Sequence, residues 1–162
     1  MKDKEPIKDV VCGMWVDPSS LGTEYLGRHF AFCTAQCRER FLANPHLYVG
    51  LPGRPAPKQS GQTVLKRRRF ALDTALDAYQ ADSARARVGA LMGIEAVEVR
   101  GAEIVVTYDL LQATATQIET AFADTGARLG SGWAERLRRG FVHYTEECEI
   151  GHLQVGPPSD CH

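Results

Sequence analysis

The sequence predicts an α+β chain of two small units, a cysteine-bearing hairpin-and-helix module and a ferredoxin-like βαββαβ sandwich. Three observations carry that prediction. Cys12, Cys33 and Cys37 gather ahead of residue 50 beside strand and turn signals. A stretch crowded with Pro52, Gly53, Pro55, Pro57 and Gly61 then interrupts the apolar pattern. Beyond it the periodicity reads strand, helix, two strands, helix, the order of a sheet with helices on one face. The expected organisation is a module over 7–49, a linker over 50–62, the sandwich over 63–130, and an amphipathic helix with a tail over 131–162.

In the first module, Thr23-Glu24-Tyr25-Leu26 and His29-Phe30-Ala31-Phe32 are strand-like, and the Gly27-Arg28 turn between them makes a hairpin. Thr34 is a good N-cap for a short helix that stops at Asn44-Pro45. Residues four apart lie one above the other on a helix, so Cys33 at its entry and Cys37 in its first turn can face one ion. The positive helix end should also favour their thiolate forms. Thiolate is a soft ligand, which points to zinc or copper(I) and away from calcium or magnesium.

The proline-rich linker should be partly extended. In the second unit, Val64 to Leu72 can be a strand, and Asp82 through Leu91 a helix with Ala84, Val88 and Leu91 on one face. The segments 96–100 and 103–108 alternate or run apolar around Gly101-Ala102, a tight hairpin. Thr114 or Thr116 can cap a second helix that carries Ile118, Ala121 and Phe122 and ends near Gly126. Ala127-Arg128-Leu129 is available for a last short strand. Trp133, Leu137, Phe141 and Tyr144 fall three or four apart, which predicts an amphipathic helix whose apolar face needs a partner, either domain or a second subunit in a homodimer. The tail holds Cys148, His152, Cys161 and His162, a candidate second metal-binding set.

Composition narrows the function. With 19 basic and 20 acidic residues among 162, the chain has no global charge case for nucleic acid or an anionic membrane. The run Lys66-Arg67-Arg68-Arg69 reads as a solvated strand edge, and Asp73, Asp77 and Asp82 as an exposed acidic loop. No apolar run is long enough to span a bilayer, and the N-terminus lacks a signal peptide's apolar core, so a cytoplasmic protein without direct membrane insertion is expected. In that reducing compartment an odd set of five cysteines suits metal or redox chemistry better than disulfides. No nucleophile with an orienting base stands out, so no enzyme is expected.

Val11-Cys12-Gly13-Met14, then Tyr25-Leu26-Gly27-Arg28-His29-Phe30-Ala31-Phe32-Cys33, Cys37, Phe41 and Asn44-Pro45 resemble a YHS domain, a small relative of the TRASH metal-binding modules. A first cysteine, about twenty residues, then Cys-x3-Cys is far more specific than a lone cysteine pair. The resemblance implies a treble-clef-like hairpin and helix that binds a heavy metal through Cys12, Cys33 and Cys37. Such domains are found beside copper-transporting P-type ATPases and in heavy-metal resistance proteins. The fourth ligand stays open: Met14 offers a thioether suited to copper(I), and His29 would complete a Cys3His site of the kind zinc prefers.

Gly93-Ile94-Glu95-Ala96-Val97-Glu98-Val99 and Ile104-Val105-Val106-Thr107-Tyr108-Asp109 resemble the second half of a heavy-metal-associated domain. That family binds copper(I) through Met-x-Cys-x-x-Cys after its first strand. Here Asp73-Thr74-Ala75-Leu76-Asp77-Ala78-Tyr79 stands in that place without a cysteine, so only the fold and a docking role carry over. The leading expectation is a soluble copper(I) carrier, buffer or accessory to a copper-exporting P-type ATPase or another metal-trafficking protein. The copper preference rests on the resemblance, since sulfur alone leaves zinc equally open. The alternatives are a structural-zinc adaptor and a metal-responsive regulatory protein.

Overall fold

The computed structural model describes residues 4–155. The chain is α+β and divides between Gln62 and Thr63 into two compact units. No helix among the described residues is long and apolar enough to cross a membrane.

The first unit is two small hairpins followed by a helix. Strands β1 (Ile7–Lys8) and β2 (Trp15–Val16) pair antiparallel, as do β3 (Thr23–Tyr25) and β4 (Arg28–Phe30). Leu26 and Gly27, at φ 49° and 72°, supply the left-handed pair that closes a two-residue hairpin without splaying its strands. Helix α1 spans Ala35–Ala43, capped as expected by Thr34, and a single 3-10 turn follows at Pro45–Leu47.

What holds this unit together is a cluster of rings around Phe41, which has no exposed surface. Its ring centroid lies 5.7 Å from Tyr25, 4.9 Å from Phe30, 5.2 Å from Phe32 and 6.0 Å from Tyr48. Both hairpin strands of the second pair, α1 and the turn after it therefore share one apolar centre. The stretch expected as an extended linker instead folds within this unit. Ala56 is buried, the Gln59 side-chain oxygen accepts from the Gly50 and Ala56 N–H groups, and Lys58 N–H donates to the Leu47 carbonyl. Its prolines and glycines make turns, and Gly50 sits so close to the Arg54 carbonyl, 2.2 Å from an added Cβ, that no side chain fits there.

The second unit is a three-stranded antiparallel sheet in the order β5 (Leu65–Ala71), β7 (Glu103–Asp109), β6 (Ile94–Arg100). β5 opposes β7 in unbroken register from Leu65↔Asp109 to Ala71↔Glu103. The β6–β7 hairpin turns through Gly101 at φ 62°, where the sequence puts it. Alternation places Phe70, Ile104, Val106 and Tyr108 on one face, and Phe70 meets Phe122 of helix α3 (Ala115–Asp124) at 5.4 Å. Helix α2 (Ala78–Gly89) packs against β6 and α3. The opposite face carries charge, with Arg67 and Arg100 paired to Glu98 and Arg69 to Glu103.

Three boundaries differ from the sequence expectation. Helix α2 begins four residues before Asp82, because Asp77 and Gln80 form a reciprocal capping box whose exposed first turn has no apolar periodicity to announce it. The last strand of the expected βαββαβ sandwich is reduced to one bridge, Leu129 to Leu72, flanked by Asp73 N–H to Arg128 and Gly130 N–H to Ala71. Helix α4 runs Trp133–Val155, so it continues past Tyr144 and takes in Thr145 to His152, expected as tail. Polar residues join the buried Ile150 in holding that extension. Glu146, only 3 % exposed, accepts from the Tyr108 hydroxyl and, at 3.0 Å, from the N–H of Ala115 at the start of α3. Lys66 pairs with Glu149, and His143 with Glu119. The outward side of α4 keeps Leu137, Phe141 and Tyr144 63 to 66 % exposed.

Candidate metal centre

The loop between β1 and β2 is a tight knuckle built by its own backbone. Asp9 N–H donates to the Met14 carbonyl and Gly13 N–H to the Asp9 carbonyl, both at 2.8 Å. Gly13 has φ 81°, a left-handed position that glycine adopts without a Cβ penalty. The knuckle presents Cys12. Cys33 lies between β4 and α1, and Cys37 is the third residue of α1, whose N–H donates to the Thr34 hydroxyl at 3.4 Å.

These elements bring the three sulfurs together. Cys33 Sγ is 3.4 Å from Cys12 Sγ and 3.6 Å from Cys37 Sγ. Around a tetrahedral ion with metal–sulfur bonds of about 2.3 Å, sulfurs stand about 3.8 Å apart. For those two pairs an ion would ask for a parting of only a few tenths of an ångström. Cys37 is buried while Cys12 and Cys33 are partly open, so the cluster has a closed floor and an accessible side.

Asp9 joins them, a residue the cysteine spacing does not single out. One donor atom from each of Asp9, Cys12, Cys33 and Cys37 lies within 4.8 Å of all the others. The carboxylate is fully buried. Its Oδ1 accepts from Val11 N–H at 2.8 Å and Cys12 N–H at 3.4 Å, and its Oδ2 accepts from Cys33 N–H at 2.9 Å. The signal for it in the sequence is slight, an acid three residues before the first cysteine.

The electrostatics differ from the helix-end expectation. Burial pushes the Cys12 thiol up to about 12, and burial followed by the charge of Asp9 and the neighbouring thiols moves Cys37 upward as well. Desolvation outweighs the α1 N-terminus here. A cation entering the site must displace protons, and supplies the positive charge that the protein does not.

The other candidate ligands fall apart from this cluster. His29 Nδ1 is 2.9 Å from Glu24 Oε1 and Nε2 is 2.6 Å from the Pro18 carbonyl, so both ring nitrogens face acceptors. A neutral ring has only one N–H, and the arrangement favours the protonated form, raising its pKa. Both ring nitrogens are thus engaged away from the sulfurs. Met14 is half exposed, and its carbonyl closes the knuckle. Cys148 and His152 share an exposed face of α4, one turn apart, and join no group of three or more ligating side chains among the described residues. Cys161 and His162 lie outside the described residues.

Comparison with known proteins places the cluster in a family context. The YHS domain matches residues 7–51, which contain Asp9 and all three clustered cysteines. Among solved structures the chain is similar to apo-CopP from Helicobacter pylori in solution, at 22 % identity and a TM-score of 0.38, over 40 % of this chain and 100 % of that one. No curated protein matches the chain.

Proposed function

We propose that the chain is a metal-binding carrier or buffer for copper(I), accessory to a copper-exporting P-type ATPase or another metal-trafficking protein, and that it binds rather than catalyses. The observation that carries this reading is the sulfur triad, with Cys33 Sγ within 3.6 Å of both neighbours inside a YHS domain. Thiolates select soft ions. Two partly open cysteines over a buried third leave a side from which a partner's thiolate could add to the ion before a cysteine lets go. That is ligand exchange, with no change in oxidation state. The reducing cytoplasm is where free thiols of this kind would persist.

The second unit fits a docking role. Its strand–helix–strand–strand–helix order supports the resemblance to a heavy-metal-associated domain without the cysteines, and the outward stripe of α4 is the face we assign to a second copy of the chain. A structural-zinc reading has one observation in its favour, the Asp9 oxygen, which would make a fourth donor for a closed site.

Anaerobic purification with elemental analysis tests the proposal, on the parent chain and on a Cys33→Ser, Cys37→Ser variant. Stoichiometric copper in the parent that the variant loses, and that a graded series of copper(I) chelators withdraws at equilibrium, is the expected result. Metal content unchanged in the variant would end the proposal. Tightly held zinc that resists the chelators would leave the structural reading instead.

A further inference from the structure

We propose that Asp9 is the positioning residue of the sulfur site, a latch that holds the two cysteine-bearing segments together and does not itself bind the ion. This rests on the metal-binding reading and adds to it a role for a residue outside the sulfur set.

The argument starts from where the carboxylate's lone pairs go. An ionised carboxylate offers about four acceptor sites. Three are directed at backbone N–H groups, those of Val11 and Cys12 in the knuckle and of Cys33 before α1. The first two bonds are local. The third spans 24 residues of sequence and is a direct side-chain tie from the knuckle to the strand-to-helix junction. Turning any of those three sites toward an ion would strip a partner from an N–H at the cluster, where such groups are almost always paired. The sulfurs, in contrast, have only weaker bonds to lose, with one another, with Thr34 and, for Cys12, with the Met14 backbone.

The cluster is thus three sulfurs with a carboxylate beside them, three of whose roughly four acceptor sites are already taken by backbone N–H groups. Such a residue sets the metal-free shape of the site. The ion can arrive or leave without the knuckle and α1 coming apart, which suits exchange better than a closed cage. It also places negative charge beside the thiols without occupying the coordination sphere, and outer partners of this kind typically tune metal affinity by about 10- to 100-fold.

The test uses the full chain, loaded anaerobically with copper(I) alone, and an Asp9→Asn variant. Asparagine keeps the shape and one acceptor oxygen but sets an amide N–H2 against one of the backbone donors. X-ray absorption should show a sulfur-only shell in both proteins, with copper affinity in the variant weaker by about 10- to 100-fold. The Cys33 amide should exchange faster in the variant. Hydrogen exchange of the parent covers the case in which the variant does not fold, since the Val11 and Cys33 amides should be as protected without metal as with it. An oxygen or nitrogen scatterer in the parent's copper shell overturns the proposal in favour of direct ligation. Loss of Cys33 amide protection on metal removal, or an Asp9→Asn variant of unchanged affinity, overturns it too. Failure of the function reading has a different signature, metal retained by the Cys33→Ser, Cys37→Ser protein.

Discussion

Replacing Glu146 by alanine should destabilise the second unit severely while leaving every apolar contact of the sheet in place. The side chain is buried within α4 and serves two donors on other elements, the Tyr108 hydroxyl of β7 and the Ala115 N–H that opens α3. Truncation leaves both donors buried and without that acceptor, at about 1–3 kcal/mol each. It also removes a negative charge from the positive end of α3, worth about 0.5–1 kcal/mol. Water entering the vacated space recovers part of this, which puts the net loss at about 3–4 kcal/mol. Glu146→Gln keeps the shape and one acceptor oxygen for two donors, so about half that loss is expected. Urea denaturation of the full chain, with hydrogen exchange resolved at Ala115 and along α4, measures both variants. An alanine variant within about 1 kcal/mol of the parent, with the Ala115 amide still protected, would refute the claim that this carboxylate fastens α4 to the sheet.

Three further outcomes follow from the same structure. Burial, then the charge and hydrogen bond of Glu146, raise the Tyr108 pKa above its ordinary value of 10.0. The raised group favours the protonated phenol in the fold, so its stabilisation is fully present below about pH 10 and is lost as pH climbs beyond it, whereas a Tyr108→Phe protein should lack this component of the alkaline decline. Phe41→Ala, which empties the centre of a five-ring cluster, should cost about 3–5 kcal/mol and unfold the first unit unless metal is supplied, as read by calorimetry with and without copper(I). If α4 pairs with a second copy, sedimentation velocity should show dimers that a Leu137→Glu, Phe141→Glu variant cannot form, and a parent that stays monomeric at every concentration removes that assignment.

Local signals carried much of this fold into the sequence. The Gly101 turn, the Thr114 and Thr34 caps and the strand alternation of 103–108 are properties of neighbouring residues, and each has its place in the structure. The Cys-x3-Cys spacing likewise brings two sulfurs to one helix entrance. What escaped depends on distant partners. Asp9 looks like an ordinary surface acid until Cys33 N–H, 24 residues on, turns out to need it. Glu146 gives no apolar signal, since α4 is held at that position by a carboxylate, with the buried Ile150 one turn on. The stretch 50–62 is turn-rich in sequence, and turn residues do not reveal whether the turns pack, as those around Ala56 do. The fourth strand shrinks to one bridge because the chain turns from Gly130 into α4 almost at once.

The central place of Cys33 among the sulfurs has a consequence for handling the protein in air. Cys33 lies close to both Cys12 and Cys37, so oxidation by peroxide or oxygen can join it to either one but never to both. Each product spends two thiol hydrogens on the oxidant, strands the remaining thiol beside the new bond, and leaves no set of three thiolates. That leftover thiol can attack the disulfide and swap the two isomers. An aerobic preparation would then be an interconverting mixture, silent toward metal and restored by a reductant.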